Sequence, residues 1–288
     1  MEQSILRAIF SSLFIQRPNH DNLTISLAFH DNFIFIRYNK MNKLVKGKGK
    51  LMNNYDKTRE KVVPEITTNL RNNFVRIPNV IREVSGIRIF GKRLKSFIFT
   101  TDVAIIKNTD ADAVIAVYPF TPQPTITQAL MSVSDIPVMC GVGGAITHGT
   151  RSANIALHAE FQGAIAVVLN APAPDETISY VKESIDIPVV VTVVSEVTDI
   201  ASKIQAGADI INVSGGPNTA AIVRAIRKKY PLIPIMATGG PTEASIRETI
   251  EAGANAITYT PPTNGELFRE KMSYYREIEN QKAKEVNN

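Results

Sequence analysis

Three glycine clusters and a few acid–base side chains are the residues of this chain that could support chemistry. Glycine lets a backbone approach a ligand closely and turns its amide N–H groups towards it, as in phosphate-binding turns. The sequence TGGPT (238–242) is the clearest example, since Pro241 suits a helix start and Thr242 can cap the helix. A helix start also adds partial positive charge. We predict that this turn binds the phosphate of a small substrate.

Asp102, His148 and Glu196 are the side chains that could transfer protons. His148 follows the glycine-rich stretch GVGG (141–144), and the pKa of histidine suits acid–base work near neutral pH. Each carboxylate also has a structural alternative, because Asp102 can cap a helix and Glu196 can stabilise a first helical turn. We predict that these three residues form the catalytic set.

Several common chemistries are disfavoured by the residues present. No predicted strand ends in lysine, and Lys107 falls inside a predicted helix, which argues against a Schiff-base aldolase. No His, Asp and Glu cluster has metal-ligand spacing, so we predict no protein metal site. No G-x-S-x-G elbow of a serine hydrolase occurs. The lone Cys140 excludes an intramolecular disulfide, and a small apolar residue at a strand end is more typical of core than of a nucleophile.

From residue 96 onwards, eight short apolar runs alternate with amphipathic segments of helix length. The later runs begin at residues 164, 187, 210, 233 and 256, a step of 23 residues each time. A fixed period of this kind indicates repeated supersecondary units, and eight strand–helix units predict a (β/α)8 (TIM) barrel of the α/β class. A doubly wound open sheet is the alternative. The predicted strands are 96–99, 113–118, 136–140, 164–170, 187–193, 210–215, 233–239 and 256–260, and the predicted helices are 102–108, 125–133, 152–162, 174–185, 196–206, 218–230, 242–252 and 264–283.

A barrel of this kind carries its site at the carboxyl ends of its strands. The residues that follow the predicted strands are polar, rich in glycine and short of charge. The predicted substrate- and phosphate-binding residues are Gly143, Gly144, Asn170, Asn212, Ser214, Gly215, Gly216, Thr238, Gly239, Gly240 and Thr260.

Residues 52–95 form a lead-in before the first barrel strand. Segment 54–73 is expected to be helical, with a restart at Pro64, and two extended segments flank Gly91-Lys92. We expect the helix and hairpin to close the bottom of the barrel.

Residues 1–51 differ from the rest, because they hold eight Lys and Arg against three Asp and Glu and so account for the whole net charge of +5. The segment is interpreted as a small hairpin unit around residues 30–32, as a basic arm built on Lys43, Lys46, Lys48 and Lys50, or as upstream sequence before a start at Met52. The charge is the one argument for nucleic acid, and we predict no nucleic-acid partner.

The sequence predicts a cytoplasmic protein. Its apolar runs are too short for a membrane span, and the run 8–15 is not followed by a signal-peptide cleavage site. A single cysteine suits the reducing cytoplasm.

The stretch IPIMATGGPTEASIRETIEAGANAITYT (233–260) resembles strands seven and eight of the phosphate-binding (β/α)8 barrels. That grouping includes keto-deoxy-phosphogluconate aldolases, thiamine phosphate synthases, indole-glycerol-phosphate synthases and FMN enzymes. The resemblance implies that backbone amides after these two strands hold a phosphate. The chain departs from the pattern after Thr260, where Pro261 and Pro262 supply no N–H. A looser resemblance is to a bacterial family that carries only the label hydrolase.

These features together predict a cytoplasmic enzyme that acts on a small phosphorylated metabolite. A lyase or isomerase without a Schiff-base lysine is favoured over a hydrolase. An FMN-dependent oxidoreductase, with the phosphate site holding the flavin, and a non-catalytic phosphometabolite-binding protein are the alternatives. The cofactor stays undefined apart from FMN, and a homo-oligomer is compatible with the sequence.

Overall fold

The computed structural model describes residues 13–16, 22–29, 32–39, 64–68 and 73–286. The chain divides into two units, residues 1–65 and residues 66–288. In the first unit, β1 (Leu13–Gln16), β2 (Asn22–Phe29) and β3 (Asn32–Asn39) form an antiparallel sheet in chain order. The β2–β3 pair is the hairpin predicted around residues 30–32, with Phe29 paired to Asn32.

Eight parallel strands in the second unit close into a barrel, which confirms the predicted (β/α)8 fold. The strands are β6 (Ser96–Phe99), β7 (Ala113–Ala116), β8 (Val138–Gly143), β9 (Ala166–Leu169), β10 (Val189–Val193), β11 (Ile210–Val213), β12 (Ile235–Thr238) and β13 (Ala256–Tyr259). The helices are α1 (Val103–Lys107), α2 (Pro124–Val133), α3 (Gly149–Phe161), α4 (Asp175–Ser184), α5 (Ile200–Gln205), α6 (Thr219–Lys229), α7 (Glu243–Glu251) and α8 (Asn264–Val286).

The strands are apolar on successive residues because both of their faces are buried. One face points to the helices, where Ile98, Val114 and Ile211 belong to an outer core. The other face points into the barrel, where Phe97 and Met139 belong to an inner core. The predicted strands therefore fall at the observed positions, with differences of a few residues at their ends.

The lead-in contributes to both cores. A 3-10 helix (Asn79–Glu83) places Val80 and Ile81 in the outer core. The hairpin of β4 (Ile87–Ile89) and β5 (Lys92–Leu94) turns at Gly91, whose φ of 81° favours glycine, and places its apolar side chains in the inner core. The predicted helix over 54–73 is wrong for residues 64–68, which are not helical, and its remaining part lies largely outside the described residues.

Hydrogen bonds join this lead-in to the last quarter of the chain. Arg247 Nη1 lies 2.7 Å from Glu83 Oε2, and Asn255 Nδ2 donates to Ser85 Oγ at 2.8 Å. Gly86 N donates to the carbonyl oxygen of Asn255 at 2.7 Å. The lead-in therefore lies against the segment that precedes β13.

Two element boundaries differ from the prediction in ways that move site candidates. Strand β8 continues past Cys140 to Gly143, with a register shift between Gly141 and Gly143. Helix α5 begins at Ile200 rather than at residue 196, because Asp199 caps it by accepting hydrogen bonds from Ala201 N and Ser202 N. Within the described chain, no helix combines the length and the apolar character that a membrane crossing requires.

Candidate functional site

The register of the paired strands fixes how side chains fill the barrel. When the paired residues are followed from strand to strand around the barrel, the path returns to its first strand about eight residues from where it began. With this shear, the inward side chains form layers of four, each built from alternate strands. Counted from the amino ends of the strands, the first layer is Ala113, Ala166, Ile210 and Ala256, and the second is Phe97, Met139, Val190 and Met236. The third layer is Ile115, Val168, Asn212 and Thr258. The fourth is Phe99, Gly141, Thr192 and Thr238, and the fifth, at the carboxyl ends, is Val117, Asn170, Ser214 and Thr260.

The character of the interior changes at the third layer. The two lower layers are apolar and form a packed core with the hairpin. From the third layer upwards, strands β10 to β13 contribute only hydroxyl and amide side chains, whereas β6 to β8 contribute apolar residues and glycine. Asn170 of the β9 edge is the polar residue on the apolar side. The upper barrel therefore has a polar half and an apolar half, and none of its inward side chains is charged.

The polar half is only partly hydrogen-bonded. Asn212 Nδ2 donates to Thr192 Oγ1 at 3.2 Å, and Thr238 Oγ1 lies 3.4 Å from Ser214 Oγ. Asn212 Oδ1 and Thr258 Oγ1 are buried without a partner among the described residues. Native proteins rarely leave buried polar atoms unpaired, so each such atom needs an explanation.

Two adjoining cavities open at the carboxyl ends of β6 to β9 and β13. The larger has a volume of about 500 Å³ and is bounded by the residues that follow β6, β7 and β13. The smaller, of about 250 Å³, is bounded by the residues that follow β7 and β8. They share Val117, Tyr118, Pro119 and Asn170, so we treat them as one cleft, hereafter the carboxyl-end cleft. Its position is where barrels of this class bind ligands.

Asp102 is the one charged side chain among the residues that line this cleft. Its Oδ1 accepts hydrogen bonds from Ala104 N at 2.8 Å and Ile105 N at 3.3 Å. Asp102 therefore caps helix α1, which the sequence had suggested as the alternative to a catalytic role. Its own N–H donates to Thr100 Oγ1. Capping fixes the orientation of the carboxylate, and the same carboxylate lies on the wall of the cleft. The two roles that the sequence left open are therefore compatible.

The other two predicted proton-transfer residues lie apart from the cleft. His148 is an exposed residue at the start of α3 and makes no side-chain capping bond. Glu196 is exposed in the turn before α5, where Thr198 N donates to Ser195 O, so it is not in a first helical turn. Neither residue lines the described cavities. Of the predicted catalytic set, the structure brings only Asp102 to the cleft.

The glycine clusters occupy three different environments. Gly143 and Gly144 line the smaller cavity, at φ values of 147° and 152°, and a Cβ on either would overlap neighbouring backbone oxygens. Gly215 N donates to Thr219 Oγ1, and Gly216 is exposed just before α6. Only the first cluster therefore borders the carboxyl-end cleft.

In the predicted phosphate-binding turn, two of the backbone N–H groups are already hydrogen-bonded to other atoms of the protein. Gly239 N donates to Thr258 O at 3.3 Å, and Thr242 N donates to Ser245 Oγ at 3.2 Å within a capping box. The amide of Gly240 has no acceptor among the described residues. The turn thus offers one amide and the start of α7 to an anion, which is less than the sequence pattern predicts.

Tyr118, which lines the cleft, and Thr258, a buried interior residue below it, are both absent from the predicted site residues. The Tyr118 hydroxyl accepts a hydrogen bond from Gln123 N at 2.9 Å and borders both cavities of the cleft. Thr258 lies two residues before the predicted Thr260 and therefore on the same inward face of β13. That alternation is a sequence signal that could have identified Thr258.

Cys140 lies inside β8, on the face that belongs to the outer core, and is 2% exposed. Burial raises the pKa of its thiol to about 12. The thiol therefore stays protonated near neutral pH, which disfavours a nucleophilic role. In the part of the chain that the structure describes, no group of three or more His, Cys, Asp or Glu side chains is placed to hold a metal ion.

Comparison with solved structures shows the fold of the barrel. A protein assigned as a phosphonomutase from Burkholderia cenocepacia J2315 has 14% identity, covers 67% of this chain and 94% of its own, and has a TM-score of 0.50. A 2,3-dimethylmalate lyase of the PEP mutase/isocitrate lyase superfamily has 13% identity, covers 71% and 82%, and has a TM-score of 0.50. No family model and no curated protein matches the sequence. The chain is thus similar in fold to these barrels, and its resemblance to the individual phosphate-binding families stays a prediction.

Proposed function

We propose that the chain is an enzyme of lyase or isomerase type that binds a small phosphorylated metabolite in the carboxyl-end cleft. The observation that carries the proposal is the position of Asp102, the one charged side chain on the cleft wall, at the end of the barrel where catalysis takes place. Two barrels of the same fold carry the names of a lyase and a phosphonomutase, which is the reaction class proposed here.

In the proposed reaction, Asp102 removes a proton from a carbon or hydroxyl of the substrate. Its Oδ1 is held by two backbone N–H groups, which leaves Oδ2 to face the substrate. Tyr118 and Asn170 supply neutral hydrogen-bond donors for the oxygen on which negative charge develops. The Tyr118 oxygen already accepts from Gln123 N, so its own proton is available to donate.

The phosphate of the substrate is assigned to the turn at Gly239-Gly240, which lies outside the residues that line the cleft and would hold a phosphate that projects from it. Support comes from the amide of Gly240 and from the partial positive charge at the start of the nine-residue helix α7. Thr260, which lines the cleft, follows the strand that neighbours this turn. No Lys or Arg borders the described cleft, so backbone donors must supply most of the anion binding.

Proton exchange in D₂O tests the proposal. The protein is incubated with a panel of phosphorylated hydroxy and oxo acids, and loss of C–H signals is followed by NMR. Asp102→Asn keeps the helix cap, because Asn is as good a cap as Asp, but it cannot take a proton. We expect exchange or cleavage to fall about 10²–10⁴-fold in this variant.

Asp199→Asn is the matched control. Asp199 caps α5 with the same pair of backbone hydrogen bonds as Asp102 but does not line the cleft. Its substitution should leave exchange unchanged. Equal rates in wild type and Asp102→Asn would overturn the catalytic role, and ligands that raise Tm without exchange or cleavage would favour a binding protein.

A further inference from the structure

The third interior layer combines two properties that rarely occur together. Asn212 is 6% exposed and Thr258 is 4% exposed, yet Asn212 Oδ1 and Thr258 Oγ1 have no partner among the described residues. Both side chains point into the barrel, because Ile210 and Ala256, two residues earlier on the same strands, belong to the inner core. An unpaired buried polar atom has lost its hydrogen bonds to water without gaining one from the protein, so it destabilises the ligand-free fold.

We propose that this layer is a binding subsite that receives an uncharged hydroxyl group of the ligand. The inference rests on the proposed function only in taking the carboxyl-end cleft as the entrance. A hydroxyl can donate one hydrogen bond and accept others, so a ligand hydroxyl can donate to Asn212 Oδ1 or accept from Thr258 Oγ1, the two unpaired atoms of the layer.

The position of the layer sets how far the ligand must reach. Thr260 lines the cleft and lies on the same face of β13 as Thr258. Two residues along a strand span about 7 Å. None of the third-layer residues lines the described cavities, so a ligand beside Thr260 must extend about this far below the cleft, through a chain of a few carbon atoms, to bring a hydroxyl to Thr258.

The charge distribution excludes an anionic group from this depth. The upper three layers contain no charged side chain, so a phosphate or carboxylate placed there would be buried without a counter-charge. Ile115 and Val168 complete the third layer and offer apolar contact to C–H groups. Hydroxyls on one side and C–H groups on the other are the surface of a sugar or polyol. The subsite thus defines the substrate as hydroxylated at its inner end, with any phosphate at the rim.

Thermal unfolding of Thr258→Val in the absence of ligand is the first test. Valine keeps the shape of threonine and removes the unpaired hydroxyl, so Tm should stay the same or rise. Thr249→Val is the matched control, because the hydroxyl of the buried Thr249 donates to Ser245 O at 2.9 Å. Losing that bond should lower Tm by roughly 2–4 °C. An equal fall in Thr258→Val would show that its hydroxyl has a protein partner and would overturn the subsite.

Crystals of the full chain soaked in erythritol give the second test. We expect an erythritol hydroxyl within hydrogen-bond distance of Asn212 Oδ1 in wild type, and no erythritol there in Thr258→Val or Asn212→Leu. An ordered water that persists at this position in every soak, or erythritol that binds equally in the variants, would overturn the proposal.

The erythritol result is independent of turnover. Asp102→Asn should leave erythritol binding at the third layer intact, since Asp102 follows β6 as a helix cap and is not one of the inward side chains of the layers. If no erythritol binds at the third layer but proton exchange still depends on Asp102, this inference is refuted and the proposed function stands. If erythritol binds there but proton exchange does not depend on Asp102, the proposed function is refuted and this inference stands.

Discussion

Asp102 and Asp199 are chemically the same residue in two surroundings. Each caps a short helix through one carboxylate oxygen and two backbone N–H groups. Of the two, only Asp102 borders the carboxyl-end cleft, so only its second oxygen can meet a ligand bound there. Capping is therefore no argument against catalysis, because a cap that holds a carboxylate rigidly also reduces the reorganisation that a general base would need.

Cys140 provides a prediction at the residue scale. Because burial raises its thiol pKa to about 12, little thiolate forms near neutral pH, and thiolate is the reactive species. Iodoacetamide at pH 8 should modify the guanidinium-unfolded chain at least 100-fold faster than the folded protein, as measured by intact mass. Rapid modification of the folded protein at that pH would contradict the assigned burial.

The same thiol makes stability depend on pH. Its folded pKa lies above the ordinary value of 9.0, so its contribution is fully present below pH 9 and is lost as the pH rises towards 12. Over that window the stability difference between wild type and Cys140→Ala should shrink by about 1.4 kcal/mol per pH unit. Urea unfolding at pH 8, 9 and 10 measures it. A difference that stays constant would mean that the thiol is not desolvated.

At the scale of elements, the β8–α3 connection shapes the cleft. Gly143 ends β8 at a φ of 147°, Asn170 N donates to Gly143 O, and Gly144 N donates to Thr147 O. A Cβ on Gly143 would overlap Thr147 O and Ser152 Oγ. The loop is therefore folded so tightly against its own helix that only glycine fits at this position.

We accordingly expect Gly143→Ala to lower the free energy of unfolding by at least about 3 kcal/mol, since overlap adds to backbone strain. Gly149→Ala is the control, because Gly149 also has positive φ but a Cβ there meets nothing within 4 Å. Backbone strain alone should cost it about 1–2 kcal/mol. Urea denaturation compares the two, and equal losses would argue against the overlap.

The sequence predicted elements better than it predicted the site. The strands could be predicted because each apolar run indicates a strand that is buried on both faces, and the run can be recognised from its own residues alone. The period of 23 residues then indicated that the strands belong to repeated units. The end of β8 was misplaced at Cys140, because GVG (141–143) shows no β-branched pattern and pairs with β9 through an irregular register. Glu196 was misplaced because α5 begins only at Ile200, after its cap Asp199.

Which rim residues meet is decided by packing that the sequence does not show. Asp102, Asn170 and Thr260 converge on one cavity although they follow strands far apart in the chain. His148 follows an adjoining strand but faces solvent. The layers, by contrast, follow from strand register, so Thr258 could have been found by alternation once the barrel was assumed.

At the scale of the whole molecule, the buried members of both barrel cores, among the residues that the structure describes, lie within residues 77–257. We therefore expect a chain that starts at Met52 to keep the Tm of the full chain within about 2 °C, as measured by calorimetry. A shortened protein that melts many degrees lower would show that residues 1–51 stabilise the barrel. Whether Met52 is the natural start stays a prediction, and terminal peptides from residues 1–51 in native protein would refute it.

Other molecular properties also stay predictions. A cytoplasmic location, the FMN alternative, the absence of a nucleic-acid partner and a homo-oligomer all depend on sequence arguments. Tyr274 and Tyr275 of α8 are 61% and 54% exposed, which keeps an oligomeric contact compatible with the structure. Purified protein that is colourless and binds no added FMN would remove the flavin alternative.

The bonds between the lead-in and the end of the barrel affect how the chain is made. Glu83 and Ser85 cannot form these bonds until Arg247 and Asn255 have been synthesised, 164 and 170 residues later. At 5–20 residues per second, a ribosome needs roughly 10–30 s to supply them. During that time the apolar hairpin emerges before most of the strands that bury it. Barrel closure is thus completed only after nearly the whole chain has been synthesised, and until then the apolar side chains of the hairpin lack most of the strands that bury them in the folded protein.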